Sequence, residues 1–287
     1  VGISLHNTSY ADGQGLPLVL VHGFPVDHHM WDECAQQIAH MSEHAGLEPF
    51  PIWAPDMPGA GESAVPDESA TGPIAEDGAY EQAMDRLADA YVQLIRDAGY
   101  QRAVWVGLSM GGYVVLDIHR RHPEAVAAIG LLDTKADADS DEARARRLHI
   151  AQECESSQTV DAVMHFAAPQ LHDSTVKRSA DFTAMFAALI QSQTPEGVAW
   201  RQRMAAGRPD LNAELPKIAV PALVLCGDLD PSSPPAVMEP ISQAMTRSEV
   251  RMRVIEDCGH FSATEHPLRV AEAIVDLVGQ AVKASNH

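Results

Sequence analysis

The sequence predicts an α/β protein: a mostly parallel central sheet flanked by helices, with one inserted helical segment. Three observations carry that expectation. Short apolar runs bounded by turn residues alternate with stretches of helical periodicity. The chain has 287 residues, 46% of them apolar, enough for one large domain with a full core and too apolar for a disordered chain. Finally, one stretch interrupts the alternation with helical patterns alone.

In chain order, the first expected strands are Leu18–Val21 and Ile52–Ala54. Residues 64–79, rich in Pro, Gly, Ala and acids, read as a surface loop. A helix follows, because Tyr80, Met84, Leu87, Tyr91, Leu94, Ile95 and Ala98 share one face and Gly99 ends it. Strands at Ala103–Val106 and Ala128–Leu132 come next. The patterns at Val160–Phe166 and Phe182–Ile190 are helical. The last strands are Ala222–Cys226 and Arg251–Ile255. A final helix begins near Pro267, with Ala271, Ile274, Val275 and Val278 facing inward. The chain thus divides into a core of residues 1–133 and 217–287 and a helical insertion of residues 134–216. The charged run Asp137–Arg147 that opens the insertion reads as a solvated helix face.

Composition narrows the function classes. Forty acids against 20 Lys+Arg give a net charge of −20, so the basic footprint of a nucleic-acid partner is missing. No apolar run approaches the ~20 residues that span a bilayer. Val1-Gly2-Ile3-Ser4 lacks the basic and apolar regions of a secretion signal, so a cytoplasmic protein without a membrane partner is expected. The acidity is uneven: residues 1–85 hold 14 acids and no Lys or Arg. Cys34, Cys154, Cys226 and Cys258 lie far apart, which argues for reduced, buried thiols over disulfides or a zinc site. No other metal spacing is found, and no cofactor is expected.

The motif that carries chemistry is Gly107-Leu108-Ser109-Met110-Gly111, between the strand Ala103–Val106 and the helical run Tyr113–His119. G-x-S-x-G alone is weak. Between a strand and a helix it describes a sharp turn that exposes the serine hydroxyl, with backbone N–H groups of the helix start beside it. A serine needs a base to take its proton and an acid to orient that base. Both follow downstream. Gly227-Asp228-Leu229-Asp230-Pro231 comes after the strand Ala222–Cys226, and Cys258-Gly259-His260-Phe261 after Arg251–Ile255.

This order of Ser, Asp and His resembles that of the α/β-hydrolases. Further motifs strengthen the likeness. His22-Gly23-Phe24-Pro25 resembles the family's oxyanion loop, and Asp56-Met57-Pro58-Gly59-Ala60-Gly61-Glu62-Ser63 its D-x-x-G-x-G-x-S turn. Gly227–Asp230 and Gly259–His260 match its G-x-x-D and G-H elements. The chain departs from the pattern at its start, where little sequence precedes Leu18 for the family's first two strands. The resemblance implies a serine hydrolase with a helical cap. Ser109 would be the nucleophile, His260 the base and Asp230 the orienting acid, with the N–H groups of Phe24 and Met110 as the oxyanion hole. Asp133 and Asp228 are alternative acids. Among other histidines, His22 reads as a prop of the oxyanion loop, and His28, His29, His119 and His122 as solvent-facing, with the pocket as the alternative for His28 and His29.

The expected reaction is hydrolysis of small to medium carboxylic esters, neutral or with aromatic acyl groups. Phe166, Phe182, Met185, Phe186, Leu189 and Trp200 supply core packing for the insertion and an apolar roof for the site. Acidity near the pocket mouth, from the segment holding Phe24 and the loop 64–79, would disfavour anionic substrates; the alternative is that the acidity serves solubility. Gly107–Gly112 also resembles the elbow of enol-lactone hydrolases, so a lactonase is the alternative within the fold. Perhydrolases and carbon–carbon bond hydrolases share the triad, whereas Ser109 argues against a haloalkane dehalogenase, which carries Asp there. A non-catalytic, hydrolase-like ligand receptor is the alternative outside enzymology.

Overall fold

The computed structural model describes residues 2–287. Seven strands form one sheet: β1 (Asn7–Ala11), β2 (Leu18–Val21), β3 (Ile52–Pro55), β4 (Ala103–Leu108), β5 (Val126–Leu132), β6 (Ala222–Gly227) and β7 (Val250–Ile255). Their spatial order is β1-β3-β2-β4-β5-β6-β7. Only β1 runs antiparallel, along β3, and every other neighbouring pair is parallel. The strands β2, β4, β5 and β6 are buried at every residue, as expected of parallel strands covered on both faces. That is why they are written mostly in Val, Leu, Ile and Ala, with no charged residue.

The helices are α1 (Asp32–His44), α2 (Glu68–Thr71), α3 (Ala83–Asp97), α4 (Met110–Arg121), α5 (Asp141–Ser157), α6 (Ala180–Gln191), α7 (Pro195–Ala206), α8 (Pro235–Ala244), α9 (Ser262–Glu265) and α10 (Pro267–Ser285). Helix α1 packs on α10, and α3 on α4. Met84, Leu87, Ala88, Tyr91, Val92 and Ile95 form the buried stripe of α3. Its end is closed by Gly99, whose φ of 91° lets the Tyr100 N–H donate to the Ile95 carbonyl at 2.9 Å. Pro267 begins α10, where its missing N–H costs nothing.

Two expectations change here, at the start of the chain and in the loop 64–79. A strand, β1, precedes Leu18, so the sheet has one strand before β2 where the family pattern has two. The loop 64–79 contains the helical turn α2 and a bridge between Ile74 and Tyr80. Between β5 and β6 the chain is wholly helical or irregular. It passes through α5, a 3-10 turn at Asp161–Ala167, α6, α7 and a second 3-10 turn at Asn212–Lys217. Side-chain caps start each of these α-helices: Ser140 accepts from the Ala143 N–H, Ser179 from Phe182 and Thr194 from Gly197.

Candidate active site

The parallel register brings the ends of β4, β6 and β7 to one sheet edge. Leu108 aligns with Leu132 of β5, and Gly227 of β6 with Ile255 of β7. Ser109 leaves β4 there with φ 57° and ψ −115°, a conformation that a side chain adopts only when its surroundings impose it. They do so through glycines: a Cβ at Gly107 would fall on the Gly111 carbonyl, and one at Gly111 on the Val21 carbonyl. The turn is further pinned by Ser109 N–H to Leu132 carbonyl at 2.9 Å and Thr134 hydroxyl to Ser109 carbonyl at 2.7 Å.

Ser109, His260 and Asp230, distant in sequence, meet at this edge. Ser109 Oγ lies 2.8 Å from His260 Nε2. His260 Nδ1 lies 2.9 and 2.8 Å from the two Asp230 oxygens. Burial pushes the Asp230 carboxyl up, but the facing His260 and the N–H groups of Ser232 and Ser233 outweigh it and hold it below the usual range. Asp133, at the end of β5, does not reach His260. It accepts from the Gly227 N–H at 3.1 Å and from the Ser262 hydroxyl. Full burial and the nearby Asp230 charge push its pKa well up. Asp228 points elsewhere and accepts from the Cys258 N–H at 3.2 Å.

Phe24 and Met110 both line the cavity above Ser109. The loop carrying Phe24 is braced from below. His22 donates from Nδ1 to the Gly23 carbonyl at 2.8 Å and accepts the Met57 N–H at Nε2, also at 2.8 Å. Burial lowers its pKa, so it stays neutral. Asp56 takes the His28 N–H at 2.9 Å and its Nδ1 at 2.8 Å, tying this loop to the turn after β3. Arg201 of α7, fully buried, donates to the Pro58 carbonyl at 3.2 Å and to Gln193 Oε1 at 3.3 Å. Gln193 in turn donates to Asp27 at 3.1 Å. Burial pulls the Arg201 pKa down to about 10 against the pull of Asp27 and Asp56, so it remains a cation at neutral pH.

A cavity of about 230 Å³ opens over Ser109, walled by Phe24, Phe166, Phe182, Phe186 and Phe261. Phe182 stacks on Phe186 at 5.5 Å, and Phe24 meets Phe166 edge-on at 5.9 Å. Of the aromatic and apolar residues singled out in the insertion, Met185 is exposed and Trp200 is buried away from the cavity, its indole N–H on Thr71 at 2.9 Å. Sequence reasoning missed Tyr113, Arg147, Lys177 and Glu265, which also line the space. Arg147 ends the run taken for a solvated face, yet it turns inward. The acidity argument also needs correction: Phe24 is the sole residue of 1–85 in this wall among the described residues. Asp77 of the acidic loop pairs with Arg144 at 2.6 Å instead.

The remaining histidines are less solvated than expected. His28 is buried on Asp56, and His119 is buried with Nδ1 2.7 Å from Glu214. His122 is half-buried on Asp89 at 2.7 Å, and of these four His29 alone is exposed. Asp27, His28 and His29 bring three potential metal donors within 4.8 Å. Asp27 Oδ1 and His28 Nδ1 are already engaged in hydrogen bonds. All four cysteines are free and buried.

The family model described as the alpha/beta hydrolase family matches residues 18–273. The chain belongs to that family. This hydrolase is 28% identical over 246 residues to a pimeloyl-[acyl-carrier protein] methyl ester esterase of Vibrio vulnificus, covering 83% of this chain and 85% of that protein. It is also 32% identical over 133 residues to bifunctional epoxide hydrolase 2 of Rattus norvegicus, but that stretch spans 21% of the rat protein. Among solved structures it resembles a thermophilic esterase from Thermogutta terrifontis, determined with malate bound. The TM-score is 0.80 at 30% identity, over 96% of this chain and 94% of that one. The enol-lactonase of Burkholderia xenovorans superposes with a TM-score of 0.75 at 25% identity, over 96% of each chain. No helix among the described residues is long and apolar enough to cross a membrane.

Proposed function

We propose that this hydrolase cleaves carboxylic esters of small molecules through Ser109, His260 and Asp230. The observation that carries the proposal is the unbroken hydrogen-bonded line from Asp230 through His260 to Ser109 Oγ, at the floor of an aromatic cavity. His260 Nε2 takes the Ser109 proton as Oγ attacks the ester carbonyl, and later gives it to the departing alcohol. Asp230 holds the imidazole with Nδ1 protonated and stabilises its cationic form. The N–H groups of Met110 and Phe24 stabilise the tetrahedral oxyanion, a contribution on the order of 3 kcal/mol per donor. Water then attacks the acyl-serine by the same route, releasing the acid. Residues 134–216 act as a cap, supplying Phe166, Phe182 and Phe186 to the cavity wall. A cavity of about 230 Å³ suits small esters.

Ser109→Ala is expected to lower kcat on p-nitrophenyl esters at least about 1,000-fold and to abolish covalent labelling by a phosphonate. Retained labelling of the variant would overturn the assignment. The second reading, a lactonase, is favoured by the enol-lactonase likeness and the shared Gly107–Gly112 pattern. Enol-lactones and hydroxycinnamate esters compared in one assay separate the two by kcat/KM. The absence of any turnover would favour a receptor.

A further inference from the structure

The aromatic cavity has one cationic wall. Arg147 reaches it from α5, and the hydroxyl of Tyr113, one turn into α4, lies beside its guanidinium. Arg147 Nε donates to Asp139 at 2.7 Å and Nη1 to Gln202 at 3.0 Å. Nη2 donates to no carboxylate or carbonyl among the described residues. Asp139 does not neutralise Arg147 alone, because it also accepts Arg208 Nη1 at 2.7 Å. The Arg208 guanidinium in turn stacks on the Tyr113 ring at 3.9 Å. Two guanidinium groups therefore share one carboxylate. Both Asp139 and Arg208 are almost wholly buried, at 5% and 3% side-chain exposure, so bulk counterions cannot balance the extra charge from that side. An anion that entered the cavity would reach Arg147, which lines it.

The other cation in the wall differs. Lys177 Nζ lies 3.4 Å from Asp173, and Glu265 is a second acid close to it. Its charge is met within the protein. Arg147 thus marks the cation of the wall whose carboxylate is shared with a second guanidinium, and a single residual charge matches a monoanion better than a phosphate dianion. A planar guanidinium beside a phenol hydroxyl suits a planar carboxylate.

We propose that Arg147 and Tyr113 form a carboxylate subsite, and that the substrate is a half-ester of a dicarboxylic acid. The ester end lies at Ser109, the hydrocarbon spacer lies against the phenylalanines, and the free carboxylate lies on Arg147. This rests on the ester-hydrolase reading above, and it replaces the neutral substrate expected from overall acidity. Hydrolysis converts half-ester and water into dicarboxylate and alcohol, with no other reactant.

The test measures kcat/KM for monomethyl and dimethyl esters of the C4 to C8 dicarboxylic acids. The wild type is expected to prefer one half-ester over its diester. Arg147→Met is expected to lower that half-ester to diester ratio by about 10- to 100-fold, mainly through KM, and Arg147→Lys by less. A variant that merely folds poorly loses both substrates together and leaves the ratio alone. An unchanged ratio in both variants, or a wild-type preference for every diester, overturns the proposal. If the wild type hydrolyses neither ester, the esterase reading has failed separately. Calorimetry with adipate and glutarate then decides the subsite: binding that Arg147→Met abolishes sustains it, and no binding to the wild type overturns it.

Discussion

Asp133 and Asp230 end neighbouring strands, and either could have faced His260. Hydrogen bonding separates them: Asp230 has both oxygens on His260, whereas Asp133 is occupied by Gly227 and Ser262. Asp230→Asn is therefore expected to lower kcat by on the order of 10⁴-fold, and Asp133→Asn by far less. A reversed order in ester kinetics would move the acid to β5. Asp133 also carries a stability signature. Its folded-state pKa lies above its unfolded one, so the folded protein holds a proton that the unfolded chain releases. Its contribution to stability thus falls as pH rises from the ordinary carboxyl value through the raised one. Asn has no such slope. The Tm of Asp133→Asn relative to wild type should climb as pH increases across that window, and a flat or falling difference would contradict this. At this scale the meeting of Ser109, Asp230 and His260 was legible because each follows a strand expected from the sequence. Arg147 was not, because a charged run looks solvated. Yet Arg147 shares a helical stripe with Ala151 and Cys154, both buried, and that spacing carried the signal.

Elements are held at fixed distances by small residues. Helix α7 lies so close to the turn after β3 that a Cβ on Gly197 would fall on the Gly59 carbonyl. One helical turn away, Arg201 donates into the same turn at Pro58. Gly197→Ala is therefore expected to cost about 1–3 kcal/mol in denaturant unfolding through overpacking. A loss below ~0.5 kcal/mol would show that α7 shifts freely. The strands β2 to β6 could be read from sequence because burial on one or both faces forces apolar runs. Strand β1, Asn7-Thr8-Ser9-Tyr10-Ala11, could not be read: it is an edge strand with no fully buried residue, so nothing compels an apolar pattern. The buried His119 was equally opaque, because its partner Glu214 lies 95 residues away.

For the whole molecule, the net charge of −20 sets a background of self-repulsion. Salt should relieve it, with a screening length falling to about 8 Å at physiological ionic strength. Raising NaCl from low millimolar to that range is expected to increase Tm, and a fall would point to net stabilisation by the surface pairs instead. The acid-rich first 85 residues are tied to the rest by bridges such as Asp77–Arg144 and Asp85–Arg120. Total charge was thus readable from composition, but its bearing on the cavity was not. That depends on which side chains the fold turns inward, and the cation it turns inward lies far along the chain from the acidic segment.

The cavity draws on two sources. Ser109, Asp230 and His260 sit where β4, β6 and β7 end, whereas Arg147, Phe166, Lys177, Phe182 and Phe186 come from the stretch between β5 and β6. Under the proposed function, the reacting groups lie outside that stretch, and much of the wall, though not Phe24, Tyr113 or Phe261, lies within it. On that reading, substitutions within one contiguous passage can reshape most of the wall while the reacting groups are copied unchanged, so one inherited chemistry can be handed from one metabolite to another.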